Sequence, residues 1–124
     1  MSFMDEIFNK DERLYRAVYP PEVAEMYWRK DGSVSSAAFA DAKGLSVDRG
    51  NNRADSDVIT SMLTRLSGKI IVFLVEHCIE INAIVLYSPS KNNIYHSEVH
   101  GSKATPLLSK SQRLFLARHS KCIT

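Results

Sequence analysis

Two imidazoles and a carboxylate stand within five residues in His96-Ser97-Glu98-Val99-His100. An extended chain sends alternate side chains to one face, so His96, Glu98 and His100 would project together. A helix would still bring His96 and His100 together at the four-residue spacing. Either geometry suits acid–base chemistry, with His96 as general base and Glu98 or Asp48 orienting it. It also suits a divalent metal held by His96 and His100, because zinc and iron accept imidazole and carboxylate ligands. The order His-Ser-Glu-Val-His is not the zinc-protease motif, whose glutamate directly follows the first histidine and faces the bound water. A further ligand would have to come from His77, Asp48 or Cys78. The alternative is an exposed strand whose histidines bond to neighbouring backbone. No cofactor beyond that metal is implied.

A second group lies upstream, in Ser35-Ser36-Ala37-Ala38-Phe39 and Gly44-Leu45-Ser46-Val47-Asp48-Arg49-Gly50. On a strand Asp48 and Arg49 face opposite ways, so one could enter a cleft while the other meets solvent. Arg49 and Arg53 flank Gly50-Asn51-Asn52 just ahead of a helix, a position that favours anions. Asp55 and Asp57 in that helix's first turn oppose phosphate there, which leaves a hydrogen-bonded turn as the alternative. Arg16, Ser35, Ser36, Arg49 and Asn93 are the candidate ligand-binding residues. Cys78 and Cys122 lack the cationic or helix-start setting that activates a thiol.

These residues need elements to position them. Alternation predicts a strand over Arg13–Tyr19, ended by Pro20-Pro21. Glu22–Trp28 reads as two helical turns, Asp31-Gly32 as a turn, and Gly44–Arg49 as a short strand. The best helical stripe, Val58, Ile59, Met62, Leu63 and Leu66, follows a cap at Asp55 or Ser56 and ends at Gly68. Lys69–Glu76 and Ile81–Tyr87 are rich in β-branched residues and read as strands, with His77–Glu80 a turn or part of one long bent strand. Ser88–Asn93 is a loop. Ser109 and Gln112 form a capping-box pattern opening a helix to about His119, burying Leu108, Leu114, Phe115 and Leu116. Strands mixed irregularly with helices predict a single compact α+β domain over residues 13–124, with a mixed or antiparallel sheet of four to five strands and two main helices. Residues 1–12 read as an N-terminal arm or short helix.

With 124 residues, 44% hydrophobic and 24% charged, the chain has the composition of an ordinary globular domain. Its longest apolar run, Ile70–Val75, is far short of a membrane span. Asp5, Glu6 and Lys10 interrupt the opening apolar residues, so no signal peptide is read and a cytoplasmic setting is expected. The net charge is only +2, yet no acidic residue follows Glu98, while Lys103, Lys110, Arg113, Arg118 and Lys121 do. That basic end could meet nucleic acid, or it could be a solvated face complementing a helix dipole.

Leu14-Tyr15-Arg16, Ser35-Ser36-Ala37-Ala38-Phe39, Leu45-Ser46-Val47-Asp48 and Asn93-Ile94-Tyr95-His96 together resemble a set of small uncharacterised bacterial proteins. The resemblance spans residues 13–101 and implies no defined activity, although some such proteins accompany defence or toxin-type operons. In that set a proline commonly follows the asparagine, where this chain has Ile94. The order Arg16, Ser36, Glu98 also resembles ADP-ribosyltransferase-like folds over these few residues. The expectation is a binding or accessory module for a partner protein or nucleotide-like ligand. A small enzyme centred on His96, hydrolase or ADP-ribosyltransferase-like, is the alternative, and nucleic-acid binding through the basic C-terminal helix is a third.

Overall fold

The structure, a computed structural model, describes residues 8–124. Most of the arm or helix expected over residues 1–12 lies outside the described residues; the rest is a turn closed by Glu12 N–H on the Asn9 carbonyl at 3.0 Å. The strands are β1 (Arg13–Val18), β2 (Leu45–Arg49), β3 (Lys69–Leu74), β4 (Ile84–Tyr87), β5 (His96–His100) and β6 (Lys121–Cys122), and the helices α1 (Asp55–Leu63), α2 (Val75–Glu80) and α3 (Lys110–His119). All strand pairs are antiparallel, in the order β4-β5-β2-β1-β3-β6. The α+β class holds, with one strand more than expected: the two-residue β6 pairs with β3 along the sheet edge.

Strand alternation divides the side chains between two faces. Leu14, Val18, Leu45, Val47, Ile71, Phe73 and Val99 form one face, covered by α2, α3 and the 3-10 turn Ser36–Phe39. Phe39 meets Phe73 edge-on there, ring centroids 5.8 Å apart. The opposite face carries Tyr15, Ala17, Ile70 and Val72, and α1 covers these with Val58 and Met62. Because α1 roofs only the β1–β3 half, no described helix lies over the same face of β2 and β5.

Three local expectations fail for reasons of tertiary bonding. Glu22–Trp28 contains only a 3-10 turn, Glu25–Tyr27, because its end is drawn into an extended bridge between Trp28 and Val34, with Ser35 N–H on the Tyr27 carbonyl. Neither Asp55 nor Ser56 caps α1: the cap position is Ala54, and the Asp55 carboxylate instead accepts bonds from the Tyr15 hydroxyl and from Arg13 at 3.2 Å. Residues 75–80 form α2 instead of strand or turn. Its first amides are satisfied from outside, Val75 by the Glu12 carbonyl (3.0 Å) and Glu76 by the Lys10 carbonyl (2.8 Å), while His77 Nδ1 accepts from Leu74 N–H (3.0 Å). Val75 and Cys78, one turn apart, are both buried. That satisfied helix start outweighs the β-branched composition.

At α3 the capping box forms as read, Gln112 N–H on Ser109 Oγ (3.2 Å) and Ser109 N–H on Gln112 Oε1 (2.8 Å). Gln112 Nε2 then donates to Ile81 and Gly101 carbonyls, tying α3 to the ends of α2 and β5. Leu108 and Leu116 are buried, but Leu114 is exposed, on the outer side of the helix. Among the described residues no helix is long and apolar enough to cross a membrane.

Candidate functional site

β5 places His96, Glu98 and His100 on one face, as its alternation requires, and the β2 register sets Asp48 directly opposite His96 and Ser46 opposite Glu98. Asp48 is buried and doubly bonded. Its Oδ2 accepts from Arg65 Nη2 at 2.6 Å, and its Oδ1 from Asn93 Nδ2 at 2.9 Å. Asn93 Oδ1 accepts from Tyr95 N–H at 3.1 Å, which fixes the amide orientation. Glu98 sits between the two histidines, with His100 Nε2 at 2.9 Å from one oxygen and His96 Nε2 at 3.5 Å from the other. The latter is an ion-pair distance only, and the buried His96 Nε2 makes no hydrogen bond among the described residues. Gly44 makes this packing possible: its φ is +105°, and a Cβ there would lie 2.5 Å from His100 Nε2.

Beside these groups lies a cleft of about 540 Å³. Ser46, Asp48 and His96 form its floor, and Met62, Arg65 and Leu66 from the end of α1 its roof, with Tyr19 and Arg16 at the β1 side. Tyr19 and Leu66 are exposed. The sheet is open at this point. β1 and β2 pair only at Leu14–Arg49 and Tyr15–Asp48, and the Arg16 guanidinium stands where the ladder would continue. Its Nε donates to the Ala38 carbonyl and its Nη1 to the Ser46 carbonyl, both at 2.9 Å. Burial pushes the Arg16 pKa down, opposed by Asp41 and by Tyr27.

The structure therefore gathers His96, Glu98, Asp48 and Asn93, with Arg16 at the far side of the same cleft. It does not gather the rest. Ser35 Oγ bonds to the Met26 carbonyl at 2.7 Å, and Ser36 opens the 3-10 turn on the opposite layer of the sheet. Arg49 faces that layer too, and not solvent. Its guanidinium grips both oxygens of Glu12 at 2.8 and 2.9 Å and lies against the rings of Phe8 and Tyr87. Asn51, at φ +51°, adds an N–H to the same carboxylate at 3.2 Å, and Arg53 bonds to the Gly50 and Arg49 carbonyls. The turn read as an anion site is thus filled by the chain's own Glu12. His96 and His100 close on Glu98, and among the described residues no group of three or more His, Cys, Asp or Glu side chains is arranged to hold a metal ion. Cys78 is buried, and burial pushes its thiol up to about 12. On α3 and its flanks Lys103, Lys110, Arg118 and Lys121 are exposed.

Arg65 and Glu12 were missed in the sequence. Arg65 follows the last turn of a helix, where a lone cation usually complements the dipole, and nothing local says it pairs with an aspartate on β2. Nothing near Glu12 along the chain points to a partner on β2. A third unforeseen cluster joins α2 to α3, where His119 stacks on Phe115 and lies 4.8 Å from His77, ring centroid to centroid. Comparison with protein-family models, with curated proteins and with solved structures finds no match.

Proposed function

We propose that this chain is a binding module that takes a small nucleotide-like ligand in the cleft between α1 and the β1–β2–β5 face. The observation that carries the reading is the cleft itself. At about 540 Å³ it has the size of a small-molecule site, and it brings donors and acceptors (Arg65, Asp48, Ser46, His96) against apolar walls (Met62, Leu66). An accessory role for a partner protein would use the same face, over whose half beyond α1 no described helix lies.

Backbone amide NMR during titration with the four common ribonucleoside monophosphates tests this. Shifts should cluster at Ser46, Asp48, Arg65 and His96. No shift with any of the four at low-millimolar concentration would refute a nucleotide-like ligand.

A second reading, a small enzyme, is favoured by one observation. The His96 ring nitrogen is buried without a hydrogen bond, beside Glu98 and opposite Asp48, on the floor of that cleft. A general base must reach the proton it removes, so the His96 ring would have to turn its buried Nε2 toward a bound ligand. His96→Ala would then abolish turnover while leaving ligand affinity within a few-fold.

A further inference from the structure

The cations that follow Glu98 fall into two groups along α3. Arg118 and His119 occupy its last turn, where the helix dipole favours them. Lys110 runs against the dipole: it is the first residue of the helix, at the positive end, and no acid stands in that turn to offset it. Lys103 belongs to the same end, on a loop whose Gly101 carbonyl is held by Gln112 of that turn. Helix stability therefore explains only the second half of the basic segment. Leu116 and Ala117 face the core, while Lys110, Leu114 and Arg118 are exposed at four-residue spacing and form one stripe. Lys121 continues it just past the helix end. Among the described residues Lys103, Lys110, Arg118 and Lys121 are in no ion pair, whereas Arg13, Arg49 and Arg65 each hold a carboxylate. The acids of α2, Glu76 and Glu80, act on His77, which meets α3 on a different flank, through Phe115 and His119.

We infer that the exposed stripe of α3, with Lys103 and Lys121 at its ends, is a contact surface for the phosphate backbone of duplex nucleic acid. Charge complementarity carries the assignment. A row of unpaired cations along one helix matches a regular polyanion, and each phosphate it neutralises releases a counterion. A single strand requires exposed aromatic rings on which to stack its bases, and the stripe carries none. A membrane surface requires a broad apolar face, but α3 turns its apolar face into the core and leaves only Leu114 on the stripe. This surface lies on the layer of the sheet opposite the cleft, so the inference is independent of what the cleft binds.

The test is fluorescence anisotropy of a labelled, mixed-sequence DNA duplex of about 20 base pairs, read over a range of salt. If these cations each meet a phosphate, the dissociation constant should be about 1 μM at about 50 mM salt and rise roughly a hundredfold by about 200 mM. Lys110→Gln combined with Arg118→Gln should reduce the steepness of that salt dependence by about 2 in the log–log slope. Arg29→Gln combined with Lys30→Gln removes the same net charge from exposed positions elsewhere and should leave the slope unchanged. In the unmodified protein, amide NMR shifts on adding the duplex should cluster on α3 and spare Ser46 and His96, which decides the matter if a variant fails to fold. Absence of duplex binding at about 50 mM salt overturns the inference. An equal loss in both double variants also overturns it, by reducing the effect to net charge. Binding to phosphatidylserine vesicles as tight as to the duplex overturns it too, by making the surface a general anion contact.

Discussion

Replacing Gly44 with alanine tests whether the Glu98–histidine arrangement is held as tightly as its geometry implies. Two costs add. At φ +105° an L-residue occupies a strained backbone region, worth about 1–3 kcal/mol. The new methyl would also lie 2.5 Å from His100 Nε2 and 3.0 Å from a Glu98 oxygen, so the ring must swing aside. His100 Nε2 donates to Glu98 at 2.9 Å, and losing a hydrogen bond to a charged acceptor costs about 1.5–3 kcal/mol. The sum is about 2.5–6 kcal/mol, a large fraction of the stability of a domain this size. Denaturant unfolding followed by far-ultraviolet circular dichroism measures it. His100→Ala separates the two terms, because in that background Gly44→Ala should cost only the backbone part. The double-mutant cycle then returns a coupling of about 1.5–3 kcal/mol between the positions. A loss under 1 kcal/mol for Gly44→Ala, or no coupling to His100, would refute the reasoning.

Ala54→Ser should stabilise the protein by about 0.5–1 kcal/mol: the α1 cap position is extended (φ −67°, ψ 149°) with no side-chain cap, and a hydroxyl there would accept an orphan N–H. A midpoint unchanged or lowered in denaturant would show that those amides are already satisfied. Glu12→Ala removes both oxygens from a guanidinium that is 8% exposed, and should cost about 3 kcal/mol by the same unfolding assay. A loss below 1 kcal/mol would mean the pair is a surface contact. His77 supplies a pH dependence. Burial first, and then the His119 charge, lower its pKa against the pull of Glu76 and Glu80, and its Nδ1 must be unprotonated to accept from Leu74 N–H. The unfolded chain therefore takes up that proton more readily than the folded one. The stability contributed by neutral His77 is present above about pH 6.5 and is lost as pH falls through the lowered folded-state value. Unfolding at a series of pH values should show this loss, and His77→Gln should flatten the part His77 contributes. An unchanged slope in that variant would assign the dependence to other groups.

The strands and the two longer helices were legible because they rest on short-range periodicity. Alternation over 13–18 and 96–100, the apolar spacing from Val58 to Met62 and the Ser109–Gln112 box each involve neighbours within one element. The common face of His96, Glu98 and His100 follows from the strand's period of two alone. The residues around 75–80 show where that reasoning ends. Their side chains favour a strand, but the carbonyls of Lys10 and Glu12 arrive from more than sixty positions away and complete a helix start.

The candidate site divides the same way. Sequence alone set Asp48 and Arg49 on opposite faces, and His96 with Glu98 on one. Which face becomes a cleft depended on α1 covering only part of the sheet. Which arginine is matched depended on where the acids fall: Glu12 reaches Arg49 and Asp48 takes Arg65. Charge pairing acts over a few ångströms of space and is indifferent to separation along the chain. One-dimensional order therefore determined the residue types on each strand face, and only the packed sheet decided which charges cancel and which remain.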